Sequence, residues 1–294
     1  MRRTVLFEGG PRTAGQLSPV SFDLAQTLDC GQAFRWVELF REGERSVWEG
    51  AAFGKVLRLE QQGDRVWFLC SQEDLDATWR AYFDLDADYE EKRAQLSSMS
   101  PALEEAAAFA PGIRILRQDP WEALCSFIIS QNNHIPRIKG IIQRLCSSFG
   151  EPIPGTEWHS FPTVQALASQ TLEELAPLRA GFRAKYLLDA ARKVASGQVD
   201  LDLVSRAPVE VGRQELQKIF GVGPKVAECA LLYGFHKTSC FPMDVWMKRA
   251  MVTLLPGRSP QEFGENAGLA QQYLFHYSRL HPELFGEKEP TRSA

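Results

Sequence analysis

Leu216-Gln-Lys-Ile-Phe-Gly-Val-Gly-Pro-Lys-Val-Ala-Glu-Cys-Ala-Leu-Leu-Tyr-Gly-Phe235 is the stretch on which the fold turns. One helix ends at Phe220, Gly221-Val222-Gly223 make a tight turn, and Pro224 opens a second helix at a position that needs no amide hydrogen. Glycine reaches positive φ without strain and lets another backbone come close. The unpaired amides at the start of the second helix then face outward, where a phosphate can accept from them. Taken alone, the pattern fits equally an αα-hairpin turn that binds nothing. The residues around it carry the rest of the reading.

Lys225 stands in the first turn of the second helix. The positive end of the helix dipole disfavours an ammonium there and favours the neutral amine, which is a nucleophile. The plain alternative is a solvated surface lysine. Cys229 lies one helical turn on, on the same face, as core filler or as a wall beside the lysine. Phe241-Pro-Met-Asp-Val-Trp-Met-Lys-Arg follows, and Asp244 reads first as the N-cap of the next helix. A carboxylate fixed by capping also stabilises positive charge on a bound substrate, so the two roles are compatible.

Outward from the hairpin the pattern is helical on both sides. Downstream, helices are expected at 245–254 and at about 261–279; upstream, at 88–98, 101–109, 120–130, 135–149, 163–168, 172–176, 184–196 and 208–220. Asp119 caps the helix at 120–130, with Pro120 at its first position. Ile138, Ile141, Ile142 and Leu145 give 135–149 an apolar face, and Gly150 stops it. Before about Gln72 the period changes. The runs 33–40, 46–53, 55–60 and 65–70 are short and apolar, separated by turn formers such as Glu42-Gly43 and Gln62-Gly63-Asp64. They read as an antiparallel sheet with one face on a core. Gly9-Gly10-Pro11 reads as a loop, and 22–28 as a short helix capped by Ser21. The expected fold is α+β: an N-terminal antiparallel β-sheet subdomain with flanking helices over 1–110, then a mostly α-helical core over 111–294 holding the hairpin at about 210–234.

Composition narrows the class without naming it. The chain has 294 residues, 44% hydrophobic and 24% charged, enough for a well-buried core. No stretch has the apolar length of a membrane span, and Met1-Arg-Arg-Thr-Val-Leu-Phe-Glu-Gly-Gly lacks the apolar region of a signal peptide. A cytoplasmic protein is expected, nucleoid-associated if bacterial. The 6 cysteines, Cys30, Cys70, Cys125, Cys146, Cys229 and Cys240, include no C-x-x-C pair and read as buried thiols rather than a zinc or redox site. A net charge of −4 weighs against wholesale nucleic-acid binding but leaves room for it, because backbone amides and a few placed cations suffice to hold a DNA backbone.

With Gly-Val-Gly followed two residues on by Lys225, and a Pro-x-Asp-Val segment after it, the chain resembles the helix-hairpin-helix glycosylase superfamily. Lys225 is similar to the lysine of its bifunctional members, which remove a base and then nick the strand. The branches with a four-cysteine iron–sulfur cluster after the aspartate are disfavoured, since nothing here supplies those cysteines. The nearest resemblance is to the 8-oxoguanine DNA glycosylases, and it covers most of the chain. Cys30-Gly-Gln-Ala-Phe-Arg-Trp looks like that family's Gly-Gln-x-Phe-Arg-Trp segment, and Ser130-Gln-Asn-Asn-His-Ile-Pro-Arg-Ile its Asn-rich helix junction.

The resemblance implies a role for each matching residue. Lys225 would be the nucleophile and Asp244 its carboxylate partner. The Gly31 carbonyl would accept the N7–H that 8-oxoguanine has and guanine lacks. Gln271 and Phe275, on a last helix lining the pocket, would bind the base's Watson–Crick edge and one face, with Cys229 on the other face. Asn132 would fill the space left by the extruded base and pair with the estranged cytosine. Arg137 and Arg183 would read that cytosine, and Phe182 would wedge the duplex. Gly221, Val222, Gly223 and Lys225 would meet the phosphates. Phe182 departs from the family's usual tyrosine, and Trp246 stands where the animal proteins have histidine. The implied partner is double-stranded DNA containing an oxidised purine, bound by a monomer. No cofactor or metal takes part in the implied chemistry, although a structural cation at the hairpin is implied. Two other readings stand beside this one: a helix-hairpin-helix glycosylase for another damaged purine, and a non-enzymatic helix-hairpin-helix DNA-binding protein.

Overall fold

The computed structural model describes residues 13–17, 22–63 and 65–285; the expected loop at Gly9-Gly10-Pro11 and the expected cap Ser21 lie outside the described residues. Five antiparallel strands form one sheet: β1 (Thr13–Leu17), β2 (Trp36–Glu42), β3 (Arg45–Ala52), β4 (Lys55–Gln62) and β5 (Arg65–Leu69), in spatial order β1-β5-β4-β3-β2. Ala52 pairs with Lys55 across Phe53-Gly54, whose φ values of 51° and 71° suit the twist of a tight hairpin. β2 begins at Trp36 rather than at Ala33 because its ladder starts there, opposite Gly50; a Cβ on Gly50 would collide with the Trp36 ring. β1 went unrecognised in the sequence: Thr-Ala-Gly-Gln-Leu has little strand preference and becomes a strand by completing the open edge of β5. The sheet covers an aromatic cluster of Trp36, Trp48, Phe68, Trp79, Tyr82 and Phe83.

Helix α1 (Leu24–Leu28) precedes β2 and is capped by Asp23, whose carboxylate accepts from the Gln26 amide at 2.8 Å. After β5 come α2 (Gln72–Asp74), a π-helical turn (Leu75–Trp79), α3 (Arg80–Tyr82), α4 (Tyr89–Ser97) and α5 (Pro101–Phe109). The helical core then runs through α6 (Pro120–Ser130), α7 (Ile135–Phe149), α8 (Val164–Ala168), α9 (Leu172–Leu175), α10 (Arg183–Ala195), α11 (Leu201–Arg206) and α12 (Val209–Leu216). It ends with α13 (Pro224–Tyr233), α14 (Val245–Leu254) and α15 (Ala267–Leu280). This is the α+β arrangement expected. No described helix is long and apolar enough to cross a membrane.

The differences are local. α11, capped by Asp200, was missed. α12 stops at Leu216, not Phe220, because Lys218, Ile219 and Val222 donate to carbonyls three residues back, a tightening that already belongs to the hairpin turn. The expected 261–279 helix divides into a 3₁₀ segment (Pro260–Asn266) and α15, since Gly264 departs from helical geometry at φ 53°.

α6 is buried on every side, as a central helix must be, and packs on α13; a Cβ on Gly234 would approach the Ala123 Cβ to 2.9 Å. Sheet and helices are joined by buried polar groups that carry their own partners. Arg35 pairs with Glu122 at 3.2 Å. The Gln32 amide donates to the carbonyls of Thr27 (2.9 Å) and Arg114 (2.7 Å) and accepts from Leu116 N (2.9 Å), while Gln118 donates to the Gln32 carbonyl at 2.7 Å. This network fixes the segment just before β2 against the helical core.

Candidate active site

The hairpin separates its two glycines by function. Gly221 has φ +81°, and a Cβ there would meet the Tyr186 ring at 2.5 Å, so both backbone and packing require glycine. Gly223 is extended (φ −91°), and nothing lies within 4 Å of where its Cβ would stand. Its bare face leaves room for a group from outside. The expected contribution of Val222 is altered: its side chain is buried and its amide already donates to the Ile219 carbonyl. With Pro224 first, the outward donors are the early amides of α13, at Lys225 and Val226.

Lys225 is half-buried, its Nζ 5.8 Å from the centre of the Phe127 ring. Cys229 lies beside it. Burial pushes the Cys229 thiol above its ordinary range, and Lys225 opposes the shift by charge and hydrogen bond. Asp244 is the N-cap of α14, its Oδ1 accepting from Met247 N at 2.7 Å. The cap holds the carboxylate half-exposed on the lining of one small cavity of about 60 Å³. Lys225, Cys229 and Asp244 line that cavity together with Gly31, Gln271 and Phe275. The sequence expectations for the pocket therefore converge on one space. It has room for a few waters.

Gly31 has φ +90°, and an added Cβ would sit 3.4 Å from Phe275 Cε1. The same cavity is lined by Phe127, Tyr233, Pro242 and Gln272, which sequence reading missed. Tyr233 stacks on Phe127 with ring centres 5.2 Å apart. Its hydroxyl donates to Gln272 Oε1 at 2.5 Å, and Gln272 Nε2 donates to the Cys30 carbonyl at 2.9 Å. A relay from α13 through α15 thus sets the peptide that precedes Gly31. One signal for Tyr233 was present in the sequence: it follows Lys225 and Cys229 at the four-residue interval that keeps one helix face.

The second group stands apart from this pocket. Asn132 is exposed at φ +47°, just past the end of α6, and Arg137 is exposed in the first turn of α7. Arg137 borders a groove of about 520 Å³ together with Arg179, Phe182 and Lys185. Phe182 is 46% exposed, as a wedge requires. Arg183 differs from expectation: it is 2% exposed, with its guanidinium turned onto main-chain carbonyls instead of out to a base. Trp246 packs against Phe285 (ring centres 5.1 Å apart) and takes no part in lining the cavity.

Residues 16–124 match the family model described as 8-oxoguanine DNA glycosylase, N-terminal domain, and residues 125–262 the HhH-GPD superfamily base excision DNA repair protein. The chain is 34% identical over 255 residues to the N-glycosylase/DNA lyase of Saccharomyces cerevisiae, covering 77% of this chain and 66% of that protein. It is 31% identical over 297 residues to the probable N-glycosylase/DNA lyase of Methanothermobacter thermautotrophicus, covering 88% and 94%. Among solved structures, the 8-oxoguanine glycosylase/lyase of Clostridium acetobutylicum, bound to double-stranded DNA with cytosine opposite 8-oxoguanine, superposes with a TM-score of 0.79. The two are 39% identical, with 89% of this chain and 93% of that one covered.

Proposed function

This chain belongs to the 8-oxoguanine DNA glycosylase family of the helix-hairpin-helix superfamily, and on that premise we propose that it is a bifunctional repair enzyme that excises 8-oxoguanine, preferentially opposite cytosine, and then cleaves the strand. One observation carries the reading: Gly31, Lys225, Cys229, Asp244, Gln271 and Phe275, far apart in sequence, line a single cavity.

A base inside a duplex is out of reach of Lys225, so it must be extruded at a cost of a few kcal/mol in unstacking. Asn132 enters the vacated space, Phe182 wedges the stack, and Arg137 reads the estranged cytosine; each contact offsets part of that cost. Gly223 and the amides of Lys225 and Val226 hold a phosphate of the lesion strand at the mouth of the cavity. A structural cation belongs to the same proposal: main-chain carbonyls of the Gly221–Gly223 turn would hold it, and it would supply positive charge toward that phosphate without entering the chemistry.

In the pocket the Gly31 carbonyl accepts the N7–H of 8-oxoguanine. Guanine has no hydrogen there and brings an acceptor against an acceptor, which is costly in a closed site. Gln271 meets the Watson–Crick edge; Phe275 and Cys229 cover the faces. The neutral Lys225 amine attacks C1′, the bond from C1′ to the base nitrogen breaks, and the base leaves with that electron pair and takes up a proton. Asp244 stabilises the positive charge developing on the sugar. Opening of the sugar ring converts the lysine adduct to a Schiff base. Loss of a C2′ proton then expels the 3′ phosphate by β-elimination.

Duplexes with 8-oxoguanine opposite each of the four bases, incubated with protein and borohydride, test the proposal. The expected result is strand nicking strongest opposite cytosine and a covalent adduct that Lys225→Gln cannot form. Normal trapping by Lys225→Gln would remove the nucleophile assignment. Binding without cleavage would make the protein a DNA-binding module, and cleavage of alkylated purines alone would reassign the substrate.

A further inference from the structure

We propose that the groove lined by α9 and the start of α10 is a binding site for the sugar–phosphate backbone of the undamaged strand, with Arg179 and Lys185 as its phosphate contacts. This rests on the roles proposed above for Arg137 and Phe182, which put the strand opposite the lesion on this face. The groove, about 520 Å³, has Arg137, Arg179 and Lys185 as its charged residues, and no acidic residue lines it among the described residues. Cations gathered without a carboxylate, on a chain whose net charge is −4, favour an anion at this place. The rest of the lining is apolar and includes Leu172, 46% exposed, and Leu175. A nucleic-acid backbone offers both counterparts, charged phosphates alternating with the C–H faces of deoxyribose.

The arginines nearby make the contrast. Arg144 donates to the Leu178 carbonyl at 3.0 and 2.8 Å, and Arg192 to the Gln170 carbonyl at 3.0 Å, so each satisfies main chain of the fold. Among the described residues no carbonyl or carboxylate takes the guanidinium of Arg137 or Arg179 in this way, and none pairs with Lys185. Arg179 also stands in the left-handed region (φ 56°, ψ 32°), directly after a 3₁₀ turn (Ala176–Leu178), where glycine would be free of strain. An arginine held in that conformation with an unpaired head points to a contact made outside the chain. Lys185 extends the charge toward the hairpin: its Nζ lies 5.3 Å from the centre of the Phe220 ring, and Phe220, 56% exposed, adjoins Gly221. The hairpin would hold the lesion strand, whereas Arg137, the proposed reader of the estranged cytosine, lines the groove. The groove therefore belongs to the other strand.

The test uses duplexes carrying an uncleavable abasic analogue opposite each of the four bases, so that binding does not depend on which base the protein excises. Arg179→Ala and Lys185→Ala are each expected to lower the slope of log affinity against log salt by about 0.9, and the double variant by about twice that. The loss should be the same whichever base stands opposite. Arg179→Gly should lose as much slope while its Tm stays at or above the parent's, because glycine accepts the left-handed backbone. Methylphosphonates remove the charge of single phosphates. Placed in the undamaged strand beside the estranged base, they should weaken the parent about fivefold and the double variant less than about twofold; in the lesion strand they should weaken both alike. An unchanged salt slope, a loss confined to cytosine, or coupling to the lesion strand instead would overturn the proposal, as would failure of the parent to bind the duplex. Should the parent bind the abasic duplex but excise no 8-oxoguanine, the proposed function fails while the slopes still decide the groove.

Discussion

Asp244→Asn separates the cap that this carboxylate forms from the electrostatic duty proposed for it. As N-cap of α14 the side chain accepts from Met247 N at 2.7 Å, and an asparagine oxygen accepts equally well. Helix and fold should therefore be indifferent to the change. The electrostatic duty is lost with the charge. A unit charge about 4 Å from developing positive charge is worth about 1 kcal/mol in bulk water and about 4 kcal/mol at the effective dielectric near a protein surface. Asp244 is half-buried, between these limits, so excision should slow by about tenfold to a thousandfold. Asp244→Ala removes the cap as well and should lose about 1 kcal/mol of stability, lowering Tm by about 2 °C. The assay is single-turnover release of 8-oxoguanine from a saturated duplex, with Tm for all three proteins. Full turnover by Asp244→Asn would reduce Asp244 to a cap. An equal drop in Tm for Asn and Ala would show that the cap is not what the geometry says.

Tyr233→Phe leaves Gln272 Oε1 without its 2.5 Å donor, so stability should fall by about 1–3 kcal/mol and excision with it; an unchanged urea midpoint would disprove the relay to Cys30. Gly31→Ala places a methyl 3.4 Å from Phe275 on a backbone at φ +90°. It should lose about 1–2 kcal/mol of stability and most of its activity, whereas normal excision would mean that Gly31 does not shape the base pocket. Burial lowers the His276 pKa from its usual 6.5 to about 4. The unfolded chain therefore takes up a proton there that the folded chain refuses, and stability present above pH 6.5 is lost as pH falls toward 4. Urea midpoints at pH 7.5 and 5 should differ less in His276→Asn than in the parent; identical slopes would refute the assignment.

How much of this was legible beforehand depended on the range of the interaction. Capping and periodicity are local, and so α5, α6, α7, α13 and α14 were read at their bounds from Pro101, Asp119, Gly150, Pro224 and Asp244. β1 was not legible, because its only reason to be a strand is the edge of β5, far along the chain. α12 was read too long, since the hairpin's own turn bonds decide where it stops. At the candidate site the residues expected in the pocket were named from the sequence and line one cavity, while their supports were not named. Tyr233, Gln272 and Phe127 look like ordinary core residues until the fold brings them to the pocket.

By itself, then, the sequence determined the helical hairpin, the order of sheet and helices, and which side chains hold reactive groups, because these follow from residue type and spacing along one segment. Only the tertiary structure decided that Tyr233 and Gln272 hold the peptide before Gly31, that Trp246 turns to Phe285, and that Arg183 points inward. Those outcomes depend on which buried donors and acceptors find partners across elements distant in the chain, and a guanidinium goes where several carbonyls lack a donor. No local pattern of residues contains that information.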